Sequence, residues 1–282
     1  SKLSSLDTDI GYDPDDLFPL LLAAKSTELD IRLIVTADEA RGKRATFVRT
    51  ILDKLVWGKP QVVQGADLGN DNFIVDELIE GFSYKAEKDY ISSIKKIVDA
   101  QEKVLFIGIG GFTNLANFLK AYPKDIKKLK IVMMGGAINY SRREGWTEHN
   151  IRVDTQSAKY VIERGGDISL VMAQTTFHSY YEVDNNHPIF QKLKSSDNKV
   201  HKILVRHCEL FNAEKGNWPM MHDPLTLVTA MDRDFVKLRK SKVSVDENGV
   251  FSLDNSGKEI QWSDPVSKNE EFMAFLEGRL FG

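Results

Sequence analysis

Short apolar runs alternate with segments of helical periodicity along this chain, and that alternation constrains the fold more than any single residue does. The runs at 31–36, 61–64, 104–108, 130–134 and 168–173 read as strands, with helical patterns at 14–26, 43–57, 86–101, 113–121, 155–164 and 198–211. Continuous apolar runs are typical of strands covered on both faces, and their alternation with helices favours βαβ units. The tail differs, because 237–253 predicts a hairpin and 269–280 a closing helix. We therefore predict a single α/β domain over residues 1–282, built on a largely parallel, mixed sheet flanked by helices.

Composition excludes several classes of partner. A chain of 282 residues with 42% hydrophobic content can bury a substantial core. Its net charge of -3 gives no basic surface for nucleic acid or an anionic membrane. The single cysteine, Cys208, fits a reducing compartment, and no apolar run approaches the roughly 20 residues that span a bilayer. We expect a cytoplasmic protein that acts on a small molecule, with no nucleic-acid or membrane partner.

The segment 6–16 (LDTDIGYDPDD) concentrates five carboxylates directly before a helical pattern. Carboxylates held this close repel one another, so they need a compensating cation or must partly stay protonated. Carboxylate oxygens are the hard ligands that Ca²⁺ and Mg²⁺ prefer. The segment therefore favours a metal site, and the alternative is a solvated acidic loop that caps a helix.

Further polar residues stand where other predicted strands end. They are Asp38, Thr113 after a glycine turn, Glu148 and Asn150, and the segment 221–225 (MHDPL) stands far downstream before another helix. In parallel sheets ligands bind at the carboxyl ends of the strands, so these residues are predicted to gather at one edge. The glycine turn does not match a dinucleotide-binding fingerprint, because its third glycine position is Thr113.

Five motifs follow one another in a fixed order over residues 6–228: DTDIG with a later DD, GGFTNLA, IVMMGGAI, EHNI and MHDPL. Together they resemble the inosine-uridine-preferring nucleoside ribohydrolase family. The resemblance implies a nucleoside hydrolase-like fold, one Ca²⁺ ion, and hydrolysis of the N-glycosidic bond of ribonucleosides to a free base and ribose. It also implies nucleoside salvage and a homodimer or homotetramer.

The resemblance assigns a role to each matching residue. Asp9 would be a metal ligand and the general base toward the attacking water, and His222 the acid that assists departure of the base. The implied metal ligands are Asp9, Asp16, the backbone carbonyl of Thr113, and Asp223. The implied ribose contacts are Asp15, Met134, Glu148 and Asn150.

Departures from the family pattern leave the substrate open. Two extra residues follow Gly11, so either Asp13 or Asp15 holds the ribose, and we choose Asp15 because it directly precedes the helix. Asp38 replaces the usual Asn, which adds a negative charge or a protonated carboxyl to the substrate site. Arg142 also replaces an Asn; it suits a 5′-phosphate or another anion, or else it points to solvent.

Two questions stay open from the sequence: the role of two tryptophans, and the choice between nucleoside hydrolysis and three other functions. Trp146 and Trp218 are candidates to stack on a nucleobase, and core packing is the equal alternative for each. Haloacid-dehalogenase-like phosphatases also begin with a DxD motif, but they normally have Thr or Val where Gly11 stands. A hydrolase of 5′-phosphorylated or modified nucleosides and a non-catalytic nucleoside-binding protein are the remaining alternatives.

Overall fold

Nine strands form one sheet in the computed structural model, which describes residues 1–282. The strands are β1 (Lys2–Thr8), β2 (Leu29–Thr36), β3 (Gln61–Val63), β4 (Val104–Gly108), β5 (Leu129–Met134), β6 (Asp167–Val171), β7 (Val236–Val245), β8 (Phe251–Leu253) and β9 (Lys258–Ser267). Their order across the sheet is β3-β2-β1-β4-β5-β6-β9-β7-β8. Only the β7–β8 and β7–β9 pairs are antiparallel. The predicted single-domain α/β fold with a largely parallel, mixed sheet is confirmed.

Eleven α-helices connect and cover the strands. They are α1 (Leu17–Ala24), α2 (Lys43–Lys54), α3 (Tyr90–Val98), α4 (Thr113–Ala121), α5 (His149–Arg152), α6 (Thr155–Arg164), α7 (Ala173–Thr176), α8 (Pro188–Lys194), α9 (Lys199–Lys215), α10 (His222–Ala230) and α11 (Asn269–Phe281). Short 3₁₀ helices lie at Pro14–Asp16, Asp76–Ile79, Pro123–Lys128 and Ser179–Tyr181. None of the helices combines the length and the hydrophobicity needed to cross a membrane.

The sheet separates two hydrophobic cores, of 45 and 30 buried residues. Along β2, Ile34 belongs to the first core, and its neighbours Leu33 and Val35 belong to the second. Side chains of a strand point to opposite faces in turn, so a strand that is covered on both faces is apolar throughout. Each such side chain contributes about 1.5–3 kcal/mol when it leaves water, which is why the continuous apolar runs predicted these strands.

The position of β1 in the sheet determines where a crevice forms. The chain passes from β1 to β2 and β3 on one side, and then returns to β4 on the other side of β1. At such a reversal of strand order, the connections leave the strand ends in opposite directions and open a crevice between them. The acidic segment 9–16 follows β1 directly, so it lies at this crevice.

Buried His207 in α9 makes stability depend on pH. Its Nε2 donates to the Tyr12 carbonyl (3.0 Å), its Nδ1 has no partner, and burial lowers its pKa from 6.5 to about 4. At a pH between these two pKa values the unfolded chain binds a proton that the folded chain does not. The free energy of unfolding therefore decreases as the pH is lowered. We expect a loss of roughly 2 kcal/mol from this group between pH 7 and pH 5. Urea unfolding should show a shallower pH dependence for His207→Gln than for wild type, and equal slopes would contradict the prediction.

Candidate active site

A cavity of ≈ 330 Å³ opens at the carboxyl ends of β1, β2, β4 and β5. Seven carboxylates line it, and we call them the acidic floor: Asp9, Asp13, Asp15, Asp16, Asp38, Glu148 and Asp223. Met134, Arg142, Asn150 and His222 line the same cavity. All of these residues were candidates from the sequence, and they meet in one place, whereas the candidates Thr113 and Trp218 do not line the cavity.

Three carboxylates of the floor form a compact group that can hold a metal ion. Asp15, Asp16 and Asp223 are all buried, and each offers an oxygen within 4.8 Å of the other two. The Thr8 hydroxyl donates to Asp16 (2.8 Å), and the Asp223 backbone N–H donates to Asp15 (3.2 Å). Burial, together with the neighbouring negative charges, raises the pKa of all three carboxyls well above the usual range. An all-oxygen, mutually repelling donor set of this kind fits a hard divalent cation, which relieves the repulsion.

Asp9 lies beside this group but is less buried than its members. Its charge contributes to the raised pKa of Asp16, Asp13 and Asp38. The Nε2 atom of His149 is 3.9 Å from an Asp9 carboxylate oxygen. Asp9 is therefore the carboxylate that combines proximity to the buried group with access to a molecule in the cavity.

Asn114 connects the loops behind the acidic floor. Its amide nitrogen donates to the carboxylate of Asp7 (2.8 Å) and the carbonyl of Thr36 (2.9 Å), and its oxygen accepts the N–H of Ala66 (2.9 Å). Burial raises the pKa of Asp7 to about 8, with the charge of Asp9 adding to the effect. One side chain of α4 thus joins the ends of β1 and β2 and the loop after β3, which explains an Asn in the GGFTN motif.

Arg44 was not predicted as a site residue, yet it holds the loops that carry the acidic floor. It lies in α2 with only 1% of its surface exposed, and it lines the cavity. Its guanidinium donates to the carbonyls of Asp38 (2.8 Å), Asp9 (2.9 Å), Ile10 (2.9 Å) and Asn72 (2.7 Å). Asp38 has a φ of 48°, in the left-handed region that non-glycine residues rarely adopt, so one of these bonds stabilises a strained turn.

The structure does not bring Thr113 into the cavity. Thr113 is the first residue of α4, so its carbonyl points along the helix toward the next turn, and its hydroxyl donates to Asp154 (2.6 Å). Ile109 lines the cavity instead, and no group of the chain donates to its carbonyl oxygen. Glycine at 110 permits this arrangement, because a Cβ there would lie 3.2 Å from the backbone nitrogen of Asp9. Of the two carbonyls, that of Ile109 is the one placed to serve as a ligand.

Glu148, Asn150 and Met134 form a hydrogen-bonded group in the cavity wall. The Glu148 carboxylate accepts the backbone N–H groups of Gly136 (2.9 Å), Asn150 (2.9 Å) and Ile151 (3.2 Å), and so begins α5. The Asn150 amide donates to the Met134 carbonyl (2.9 Å). Burial raises the pKa of Glu148, although these hydrogen bonds oppose the shift. The side-chain oxygen of Asn150 accepts no hydrogen bond from the chain and is free for a ligand hydroxyl.

Aromatic rings form another part of the cavity wall. Phe177 stacks on Tyr140 (centroids 6.2 Å apart), packs edge-on against Trp146 (6.1 Å), and contacts the ring of His222 (4.6 Å). Phe177 and Trp146 line the cavity, so this wall offers apolar surface to a planar group. Trp218 is elsewhere, because it packs edge-on against Phe190 (5.3 Å) at the first hydrophobic core. For Trp218, core packing was the correct alternative.

His222 is neutral in this environment. Burial, with the charge of Arg142 adding, lowers its pKa to about 4. Its Nδ1 lies 2.7 Å from the Thr176 hydroxyl. When that hydroxyl donates to Nδ1, the proton of the neutral ring is on Nε2, which can then act as a hydrogen-bond donor.

Comparison with known families identifies the class of enzyme. The model of the family described as inosine-uridine preferring nucleoside hydrolase matches residues 5–270. The chain belongs to this family. As a nucleoside hydrolase, it is an N-glycosyl hydrolase that cleaves the N-glycosidic bond of ribonucleosides. The resemblance stated from the five motifs is confirmed.

Individual relatives of this nucleoside hydrolase are distant in sequence and close in fold. The pyrimidine-specific ribonucleoside hydrolase RihA of Escherichia coli (strain SMS-3-5 / SECEC) is 24% identical over 270 residues, 88% of this chain and 85% of that protein. A probable ribonucleoside hydrolase of Dictyostelium discoideum is 23% identical over 180 residues, 60% of this chain and only 52% of that protein. A solved plant nucleoside hydrolase, PpNRh1, is 21% identical, with a TM-score of 0.84 over 99% of this chain and 98% of that one.

Proposed function

We propose that this nucleoside hydrolase is Ca²⁺-dependent and that water activated by Asp9 attacks the anomeric carbon of the ribosyl group. The observation that carries the proposal is the buried group of Asp15, Asp16 and Asp223, which lies in one cavity with Asp9. Hard oxygen donors in this number favour Ca²⁺ over softer metals.

The proposed ligands of the ion are the carboxylates of Asp9, Asp16 and Asp223 and the carbonyl of Ile109. When bound, Ca²⁺ would lower the pKa of coordinated water and orient it toward the sugar. Asp15 would hold a ribose hydroxyl. Asp13 is less suitable, because its carboxylate already accepts the backbone N–H of Asp15 (3.0 Å) and caps the short helix at Pro14–Asp16.

The residues of the chain would divide the reaction as follows. Asp9 would accept a proton from water while the oxygen of that water bonds to the anomeric carbon. The N-glycosidic bond would break, and its electron pair would leave with the base. The transition state resembles an oxocarbenium ion, so the carboxylate of Glu148 and the amide dipole of Asn150 beside the ribose would stabilise its charge. Neutral His222 would donate a hydrogen bond to the departing base, while Trp146 contacts the ring of the base.

A product assay tests this proposal. We expect purified protein to release free base and reducing sugar from purine or pyrimidine ribosides, either the nucleosides or their 5′-monophosphates. A chelator should lower the release at least about tenfold, and Ca²⁺ should restore it. A 2′-deoxyriboside serves as the control, since it lacks the cis-diol that a metal site can bind. Release that is insensitive to the chelator would contradict the calcium dependence, and no release from any riboside would contradict the function.

Three further properties are proposed on the family resemblance. We propose that residues 1–282 act as one catalytic unit, because the site residues come from segments far apart in the chain and meet in one cavity at the edge of a single sheet. We propose a homodimer or homotetramer and a role in nucleoside salvage. Light scattering of the purified protein would decide the oligomeric state.

A further inference from the structure

The cavity has a second charged region, opposite in sign to the acidic floor. Arg142, Arg152 and Lys215 all line it, and we call them the cationic rim. They come from three separate places in the chain: the loop after β5, the end of α5, and the end of α9. Cations brought together from distant segments at the mouth of a cavity attract an anionic group on a ligand.

The rim residues are held by neutral groups and not by carboxylates. Arg142 lies over the ring of Phe177, and Lys215 lies over the ring of Tyr12 (5.5 Å to the centroid). Arg152 donates to the carbonyl of Thr147 (2.8 Å). Each positive charge therefore remains available to a ligand. Direct ion pairs with the acidic floor would have used these charges, and the rim makes none.

Arg142 has the most favourable geometry of the three. Its Cζ atom is 4.2 Å from the centroid of the Phe177 ring, and the ring is itself stacked on Tyr140. A single long contact of 3.4 Å joins one guanidinium nitrogen to the Tyr140 hydroxyl. A guanidinium that is oriented by an aromatic face, with most of its N–H groups free, is suited to bidentate binding of a phosphate.

The position of the rim indicates which part of a riboside would carry the anion. In the proposed function, on which this inference rests, the acidic floor binds the cis-diol and His222 faces the base. The remaining substituent of the ribose is at the 5′ position. The loop with Arg142 runs directly into Glu148 and Asn150, which line the same cavity and are the proposed contacts of the ribose.

We propose that Arg142, assisted by Arg152 and Lys215, forms a subsite for a phosphate ester, and that the preferred substrates are ribonucleoside 5′-monophosphates. Hydrolysis of such a substrate yields a free base and ribose 5-phosphate, with the phosphate ester unchanged. The N-glycosidic bond is the one that breaks, and water supplies the new hydroxyl at the anomeric carbon, so no co-reactant is needed.

A selectivity ratio tests the subsite. We expect kcat/KM of wild type to be at least about tenfold higher for uridine or adenosine 5′-monophosphate than for the parent nucleoside, because charged hydrogen bonds of this kind are typically worth about 10–100-fold. Arg142→Gln should lower this ratio at least about tenfold. The matched control is Arg143→Gln, because Arg143 is the exposed neighbour and does not line the cavity. A wild type that prefers nucleosides, or a ratio unchanged in Arg142→Gln, would overturn the proposal.

Two further arms separate the possible failures. Orotidine carries its anionic group on the base, and we expect its kcat/KM to be no higher than that of uridine. If orotidine is preferred to uridine while the 5′-monophosphates are not preferred to their nucleosides, the anion lies at the base and the proposal is wrong. Binding of ribose 5-phosphate and of ribose, measured by calorimetry, requires no turnover. We expect wild type to bind ribose 5-phosphate more tightly, and Arg142→Gln to lose most of that difference. If no riboside is hydrolysed the proposed function fails, yet this binding difference still decides whether the subsite exists.

Discussion

Asp9→Asn should lower the turnover of ribosides by about 10³-fold while the protein stays folded, because it removes the general base and replaces a charged metal ligand by a neutral one. The folded state should even gain stability in the absence of metal. Asp9 is one of the charges that raise the pKa of Asp16 and Asp13, so its removal relieves repulsion in the acidic floor. Calorimetric titration with Ca²⁺ should show weaker binding, and thermal unfolding in a chelator should show an equal or higher Tm.

The control for Asp9→Asn is Asp197→Asn, an exposed carboxylate that lies outside the cavity. That variant should match wild type in turnover, Ca²⁺ affinity and Tm. Turnover of Asp9→Asn within tenfold of wild type would contradict the assignment of Asp9 as the base. A large loss of turnover with unchanged Ca²⁺ affinity would retain Asp9 as the base and contradict a contribution of its negative charge to Ca²⁺ binding.

Arg44→Met should destabilise the protein by about 3–5 kcal/mol, the largest effect on stability that we expect from one substitution outside the hydrophobic cores. The methionine fills much of the same volume, but four carbonyl oxygens lose their donor, and unsatisfied buried groups cost about 1–3 kcal/mol each with partial relief from water. Arg44→Lys should be intermediate, because an ammonium group cannot reach all four carbonyls in the geometry of the guanidinium fork. Urea unfolding measures the free energy directly.

Arg41→Met is the matched control, since Arg41 is a nearby arginine whose partner, Asp71, is exposed. Surface ion pairs of this type contribute about 0–1 kcal/mol, so this variant should remain close to wild type. The loops that Arg44 holds carry Asp9 and Asp38, and Arg44→Lys should therefore also weaken Ca²⁺ binding. An Arg44→Met variant within about 1 kcal/mol of wild type would show that water replaces the guanidinium without cost, against the expectation.

The fold was accessible from the sequence because its signal is local. Five of the six parallel-sheet strands that precede residue 180 appear as apolar runs, and the helix at Thr113–Ala121 was predicted with its observed ends. The strand β9 was not predicted, because hydrophobic residues such as Ile260 and Trp262 alternate with polar ones and occupy only part of the segment. Its place between β6 and β7 depends on partners about 20 and 90 residues away, which no local pattern reports.

The contacts of individual side chains were less accessible. Trp218 reads equally well as a stacking residue or a core residue, and only the presence of Phe190 beside it decides between them. Thr113 and Ile109 are four positions apart in a glycine-rich segment, so the motif alone does not show which carbonyl faces the cavity. Arg44 lies in a segment for which the sequence predicted only a helix, and its burial depends on carbonyls from three separate loops.

The sequence by itself determined the layered α/β architecture, the enzyme family, and the acidic residues that gather at the carboxyl ends of the strands. Hydrophobic periodicity and motif order carry that information, because both are properties of contiguous residues. Only the tertiary structure decided that Ile109, and not Thr113, lines the cavity, that Arg44 holds the loops of the floor, and that Arg142 lies on Phe177 at the cavity. These contacts join residues far apart in the chain, and their energies exist only once the sheet has brought the loops together.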